Sequence, residues 1–429
     1  MNLRVTVVGA GIGGAACALL LARVGCEVVL LERSHAPEPA AGTAIGLHPN
    51  GLAVLYGLGL REPLQRRAHL ARAASIHLDD RLLTTESVPD FGAGLDHMLV
   101  LHRARLAEVL HDAVRAEPRI DMRFGAGVMG SESVTSGRVT VAVGASGGPQ
   151  NSGPQNSETR NSETRNSETV DADVVVGADG VSSRVREGGE FGARTRRLRS
   201  ISLRLILPGR VWGEELREYW TRWGLCLGGP VDDANTYLAV SAARGPLAEA
   251  LAARRLAAVR ALVTEMLPAA ELRLREVDDD AFLIRWVDEV RARRWSDRRA
   301  VLIGDAAHAM SPHLGQGANS ALLDGLTLAE ELRDAIRHAT GTGAERATGV
   351  SPALRRYDRR RHPSVTRIQR TAIGYQWVSE NAIHPWARLP RNTAMRAGAR
   401  LLSDRGHLMA RILQRDPAET IAATRALRP

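Results

Sequence analysis

Residues 4–32 constrain the fold more than any other stretch. Residues 4–9 (RVTVVG) read as a buried strand, followed by Gly9-Ala-Gly11-Ile-Gly13-Gly14. An apolar run from Ala15 to Val24 follows, long enough for a helix, and Glu27 to Leu31 supplies a second strand. Strand, glycine turn, helix and strand make a parallel βαβ unit. Gly9 permits the tight turn, Gly11 lets a pyrophosphate reach the helix N-terminus, and Gly14 lets helix pack on strand. Glu32 stands at the end of the second strand, 23 residues after Gly9. An acid there accepts a hydrogen bond from a ribose hydroxyl and repels a 2′-phosphate. The chain is therefore expected to build an open α/β sheet around a dinucleotide.

Two later segments repeat the strand-to-turn design. Val301-Leu-Ile303 reads as a buried strand that breaks at Gly304-Asp305 and passes through a Pro- and Gly-punctuated turn into a helix near Gly317. An aspartate at the carboxyl end of a parallel strand is where such sheets bind ligands. Glycines ahead of a helix let N–H groups approach an electron-rich group at the positive dipole end. That combination suits a ligand with a polyol and a ring that must hold negative charge, which describes reduced flavin. His308, within the turn, is expected to satisfy backbone groups. The third segment, Asp173 to Arg186, carries an apolar strand, then Gly177-Ala-Asp179-Gly180 with Ser183 and Arg186. Taken alone it could be any strand-to-turn junction.

In this order the three segments resemble the class A, aromatic-hydroxylase-like flavoprotein monooxygenases, over roughly residues 1–370. The resemblance implies an α/β fold: a Rossmann-like FAD-binding domain of the GR2/PHBH type, a second domain with an antiparallel sheet for substrate, and C-terminal helices. It places the FAD pyrophosphate on Gly9, Gly11 and Gly14, the adenosine ribose on Glu32, and Arg33 near adenine or pyrophosphate. Asp179 serves both FAD and the reducing nicotinamide, Asp305 the ribitol, and Pro312 the flavin ring. Gly315, Gln316, Gly317, Ala318 and Asn319 present N–H groups to its pyrimidine side. Arg103, in Leu101-His-Arg-Ala-Arg-Leu106, contacts FAD, and the backbone of Val128 meets adenine. The loop Gly42 to Asn50 is similar to the family's loop after the second strand. One departure is Leu323, where the family carries an acid before Asp324; it reads as a packing change.

The expected chemistry is that of the cofactor. NADH or NADPH reduces FAD, and oxygen then gives a flavin C4a-hydroperoxide that hydroxylates or epoxidises an apolar or aromatic small molecule, with specialised metabolism as the expected setting. No universal catalytic side chain is required. His48 and His313 are the candidates for a base that activates a phenol. A non-redox cyclase, reductase or halogenase on the same scaffold is the alternative, although the halogenase lysine and Trp-x-Trp-x-Ile-Pro segment are absent. A dehydrogenase using only the first motif would leave the Gly-Asp segment unexplained.

Composition narrows the rest. The net charge is +9, yet the chain has no lysine, so all 57 basic residues are arginine. That excludes a P-loop lysine, a Schiff-base nucleophile and a pyridoxal phosphate anchor. The pattern argues for coding bias, and no nucleic-acid partner is expected. Arg355, Arg356 and Arg359 to Arg361 read as a solvated helix face. Cys17, Cys26 and Cys226 have no metal-ligand spacing, so no metal is expected and buried thiols in a cytoplasmic protein fit best. No run reaches the roughly 18 apolar residues of a membrane span, and the first residues enter a strand without a signal-like region. The oligomeric state is not legible.

The domains are expected at 1–71, 99–186 and 289–350 (FAD), at 72–98 and 187–288 (substrate), and at 351–429 (helical, broken by Pro363, Pro385 and Pro390). Residues 148–169, tandem repeats almost without apolar side chains, are expected to form a disordered loop whose removal from Gly153 to Thr169 leaves flavin binding intact. Trp212, Tyr219, Trp220, Trp223 and Trp286 cluster in the substrate domain. Some of them are expected to line its pocket.

Overall fold

The computed structural model describes residues 3–36, 43–130, 134–143, 167–338, 343–381, 385–402 and 412–427. A six-stranded sheet carries the three motifs. Its strand order is Ser296–Asp297, Ala300–Leu302, Val174–Gly177, Arg4–Val8, Glu27–Leu31 and Ile120–Arg123. Neighbours are parallel except for the first pair. Val5 faces Val174 on one side and Val28 on the other, and all three are buried. Such continuous valine-rich strands form because both sheet faces are covered. The helix Ile12–Arg23 packs against the helices Arg103–Ala116 and Gly317–His338.

The glycine turn is fixed by close approach. Gly9 has φ +100°, and a Cβ on it would lie 2.6 Å from the Ala178 carbonyl oxygen. A Cβ on Gly14 would lie 1.8 Å from the Gly9 oxygen, so the helix can only start there without a side chain.

A seven-stranded sheet forms the second layer of the site. Its order is Leu283–Arg291, Arg194–Pro208, Asn235–Ala242, Leu225–Pro230, Leu216–Trp220, Ala73–Leu78 and Arg81–Ser87. The distant segment 73–87 joins through a parallel pairing of Ala73–Leu78 with Leu216–Trp220. Alternation then assigns the faces. Leu203, Leu205, Leu207 and Leu238 are fully buried in a core shared with the helices Gly245–Ala252 and Leu256–Met266. Ser202, Arg204, Tyr237, Ala239 and Ser241 occupy the opposite face. The strand Leu283–Arg291 closes one edge of this sheet.

Three expectations about loops and helices change. Ser167 to Thr169, assigned to the repeat loop by composition, belong to the strand Ser167–Asp171, which pairs with Arg138–Val143. Register decides there, because Thr169 sits opposite Thr140 on a strand already anchored by buried Val139 and Val141. The remainder of the expected loop, 148–166, lies outside the described residues. Pro363 and Pro390 do not break helices: Gly343–Glu380 runs through Pro352 and Pro363, and Pro385–Leu402 through Pro390. Burial of Leu354, Tyr357, Val365 and Ile368 on one face holds the long helix across the missing N–H. The arginine cluster is not simply solvated either. Arg356 and Arg360 pair with Glu331, Arg360 also with Glu330, and Arg361 is buried.

No helix among the described residues is long and apolar enough to cross a membrane, and no group of side chains there could hold a metal. Cys17, Cys26 and Cys226 are buried free thiols. Burial pushes Cys26 and Cys226 up to about 12.

Candidate functional site

A cavity of about 400 Å³ lies between the carboxyl ends of the parallel strands and the second sheet. Gly11, Arg103, Gly180 and Asp305 line it from the first sheet, and Pro312, Gly315, Gly317 and Ala318 from the loop that follows. Segments nearly three hundred residues apart in sequence are thus brought to one wall. Gly9 and Gly14 lie beneath the turn. Glu32, Arg33, Val128 and Asp179 are not on the cavity lining.

This wall is built from main chain. The helix Ile12–Arg23 starts at Gly11 with no side-chain cap and no acid in its first turn. The helix Gly317–His338 also lacks an acid in its first turn. Unpartnered N–H groups at such ends carry partial positive charge and suit an anion or an electron-rich ring. A Cβ built on Gly11 or Gly317 would meet nothing within 4 Å, so glycine there keeps space open rather than relieving a protein clash, whereas Gly180 is required by its φ of +78°. Arg103 is exposed on the same wall. Asp305 is exposed at the start of the short helix Asp305–His308, and its carboxylate has no hydrogen-bond partner among the described residues. Cationic side chain, open helix ends and an unengaged carboxylate fit the pyrophosphate, the ring and the polyol of FAD in turn.

The remaining predicted positions brace that wall. The Glu32 carboxylate accepts from the Ala10 N–H at 2.9 Å and the Ser34 N–H at 3.0 Å, which stiffens the glycine turn. Arg33 is exposed beside Gly127, and Val128 pairs with Val141 in a small antiparallel sheet. Asp179 accepts from the N–H groups of Arg184 (2.7 Å) and Val185 (3.2 Å). Its Oδ1 is buried without a hydrogen-bond partner among the described residues. Burial raises its carboxyl against those hydrogen bonds and that of Ser183.

The Gly-Asp loop is locked from behind by Asp324, which is fully buried. One oxygen accepts from the Gly304 N–H (3.0 Å) and meets His308 Nε2 (2.6 Å), and the other accepts from Arg361 Nε (2.8 Å). Burial alone would lift this carboxyl, but His308 and Arg361 outweigh it and hold it at about 2. His308 therefore pairs with a carboxylate, not with backbone as expected, because the helix behind it presents Asp324 within reach. Leu323, beside it, is buried as packing. Asn319 ties the loop to the neighbouring one: its oxygen accepts from the His48 N–H, and its amide donates to the oxygens of Gly46 and Gly315.

Neither candidate histidine is an open base. His48 lies beneath Gly315 rather than on the cavity, and burial lowers it to about 4, so it is neutral at physiological pH. His313 does line the cavity, but both ring nitrogens are engaged: Nδ1 with Ser311 Oγ (2.7 Å), Nε2 with Glu380 (2.8 Å) and Ser241 Oγ (3.1 Å). Glu380 is itself buried and also accepts from the Ser200 hydroxyl.

The opposite wall is made of side chains. One cross-strand row of the seven-stranded sheet reads Arg204, Ala239, Leu227, Glu218. All four line the cavity, with Tyr237, Leu225 and Ser241 in adjacent rows. Neighbouring strands lie about 4.8 Å apart, so Arg204 and Glu218 stand roughly 14 Å apart at the backbone. Burial raises the Tyr237 hydroxyl, with Arg204 opposing. None of the aromatic residues expected there lines the cavity. Trp212, Tyr219 and Trp223 pack into the core on the other face, Trp286 is exposed, and Trp220 is covered by Tyr375 at 4.9 Å. The bulky rings fill the core, where their area is best buried. Sequence reading missed Arg204, Glu218, Tyr237 and Glu380; strand alternation from Ile201 to Leu207 was the signal for the first.

Comparison with known proteins bears on the family and the fold. Residues 2–372 match the family described as FAD binding domain. The chain is 32% identical over 373 residues to kynurenine 3-monooxygenase of Salinispora tropica, covering 80% of this chain and 76% of that protein. It is 32% identical over 337 residues to a putative 2-heptyl-3-hydroxy-4(1H)-quinolone synthase of Rhodococcus erythropolis, covering 76% and 78%. Among solved structures, 2-methyl-3-hydroxypyridine-5-carboxylic acid oxygenase superposes with a TM-score of 0.71 at 24% identity over 97% of this chain and 98% of that one. A Klebsiella pneumoniae protein complexed with FAD and uric acid gives 0.70 at 18% identity over 98% and 97%. These two structural likenesses speak to fold alone.

Proposed function

Because this chain belongs to the FAD-binding-domain family of flavin-dependent monooxygenases, we propose that it hydroxylates a planar aromatic small molecule bearing a phenolic hydroxyl and an anionic group. It is an oxidoreductase that uses FAD, NAD(P)H and dioxygen. Bound FAD supplies the oxygen-activating chemistry. The residues on the page would then divide the work of binding. Gly11 and Arg103 face the pyrophosphate, Asp305 takes the ribitol hydroxyls, and the N–H groups from Gly317 onward hold negative charge on the ring. Arg204 receives the anionic group of the substrate, while Leu225 and Leu227 exclude water from the space between.

The observation that carries the substrate class is Arg204. It lines the cavity without an ion-pair partner among the described residues, and its charge acts on the Tyr237 hydroxyl. A cation so placed costs desolvation unless a ligand brings the opposite charge. The first sheet and its helices, about 1–71, 99–186 and 289–350, would form the cofactor domain, and 72–98 with 187–288 the substrate domain. Three reduced, buried thiols support a cytoplasmic setting.

The test is direct. Hydroxybenzoates should accelerate NAD(P)H oxidation, with one atom of labelled dioxygen appearing in product. Acceleration by neutral phenols alone would remove the anionic requirement, and product without the label would remove the monooxygenation of this substrate class.

A further inference from the structure

Glu218 projects from the strand Leu216–Trp220 onto the cavity, and its two oxygens are treated differently. Oε1 accepts from Trp220 Nε1 at 2.6 Å and from the Tyr375 hydroxyl. Oε2 takes no hydrogen bond among the described residues. Glu380 shares this one-sided pattern, but its free oxygen is buried, whereas Glu218 lines the cavity. Two donors on Oε1 fix the plane of the Glu218 carboxyl and leave Oε2 for a ligand.

We propose that Glu218 is the catalytic base of the reaction and takes the hydroxyl proton of a bound phenol at Oε2. This rests on the phenolic reading of the substrate given above. The phenolic O–H bond breaks, its electron pair stays on oxygen and flows into the ring, and a new O–H bond forms on Glu218. The enriched ring carbon next to the hydroxyl then bonds to one oxygen of the O–O bond that the established activity supplies from dioxygen and the two electrons of NAD(P)H; that O–O bond breaks, and the second oxygen takes a proton from solvent and departs as water. The ring proton leaves to solvent as aromaticity returns, and Glu218 gives its proton back to the phenolic oxygen. Substrate gains one oxygen atom and the carboxylate is restored.

The surroundings favour that role. Burial raises the Glu218 carboxyl, opposed by Tyr375, Trp220 and the charge of His313. A base works best when its pKa approaches the working pH. The charged groups about it are Glu86 on the strand Arg81–Ser87, His313 on the loop, Tyr375 on the long helix, and Arg391, whose guanidinium sits 5.8 Å over the Trp220 ring. His313 is engaged by Glu380, Ser311 and Ser241, so among the described residues no other carboxylate or imidazole lining this wall offers an unengaged acceptor.

The holoenzyme and its Glu218→Gln variant test the assignment with a series of hydroxybenzoates whose ring fluorination makes the hydroxyl progressively more acidic. Glutamine preserves the acceptor for Tyr375 and Trp220. The variant should retain FAD and substrate-stimulated NADH oxidation, yet form product roughly 10²-fold more slowly from the least acidic phenol. That factor should shrink towards one for a phenol already ionised at the assay pH, and the acid limb of the pH profile should vanish. An equal loss for every phenol, or an unchanged acid limb, would overturn the proposal. Binding of 4-nitrophenol, followed by its own visible absorption, gives a readout independent of turnover. Wild-type affinity for the neutral phenol should rise as Glu218 ionises, and that of the variant should stay flat; matching pH dependence in the two proteins would also overturn it. If no hydroxybenzoate stimulates NADH oxidation by the wild type, the phenolic reading itself falls and takes the base with it.

Discussion

The two walls of the cavity are made of different material. On the cofactor side the lining is mostly backbone, helix ends and glycines without a protein neighbour, with Arg103 and Asp305 as its exposed charges. On the other side a sheet presents Arg204, Leu227 and Glu218 from adjacent strands. Main-chain dipoles can be aimed only by folding the chain, so the first wall depends on turns and on what lies behind them. Side chains on a sheet can be exchanged one at a time without moving the strand. The first wall therefore changes only with the fold, whereas the second can change residue by residue.

The contrast can be broken in order of expected effect. Asp324→Asn should be the most damaging, because it leaves the Arg361 guanidinium buried without its carboxylate, at a cost of about 3–5 kcal/mol in denaturant unfolding. Asp324 is held at about 2, below its ordinary value of 3.8. Its contribution is thus complete above pH 3.8 and lost as the pH falls towards 2, so wild type and variant should converge in acid. Equal stability at neutral pH would show that the loop is not locked from behind. Next, Gly14→Ala forces a methyl against the Gly9 oxygen and should destabilise the apoprotein by about 1–3 kcal/mol. Gly11→Ala, whose methyl meets no protein atom, should leave apoprotein melting unchanged while weakening FAD binding about tenfold. If both variants melt early, the two glycines do not differ as described.

On the side-chain wall, Arg204→Met should leave flavin content untouched and weaken binding of hydroxybenzoates about tenfold, with no change for neutral phenols. Loss of FAD in that variant would erase the division between the walls. The smallest effect is expected far from the cavity. Arg360→Ala removes a half-exposed partner of Glu330 and Glu331 and should cost no more than about 1 kcal/mol, measured by thermal melting.

The same contrast explains what could be read from the chain before folding. The cofactor wall was legible because its constraints fall on residue types with few substitutes: glycine where a Cβ would strike the Gly9 oxygen, and aspartate at the end of the strand Ala300–Leu302. The substrate wall was not. Alternation in Ile201 to Leu207 separates two faces but does not say which one meets the cavity. Arg204 is one of several arginines on its strand. Glu380 reaches His313 across 67 residues of sequence, and no local pattern reports such a meeting. The scarcity of aromatic residues pointed to the wrong ones, since Trp212 and Tyr219 are worth more in the core than at an open surface.

The helix Gly343–Glu380 ends up serving as a measuring rod. Arg361 grips the cofactor side through Asp324, and Tyr375, fourteen residues further on, meets Glu218 on the far side; at about 1.5 Å per residue that is roughly 21 Å of rod. One residue inserted between them would turn everything beyond it by about 100°, swinging Tyr375 and Glu380 off their marks while Arg361 stayed put. The gap in which substrate meets flavin would be reset by a change that touches neither.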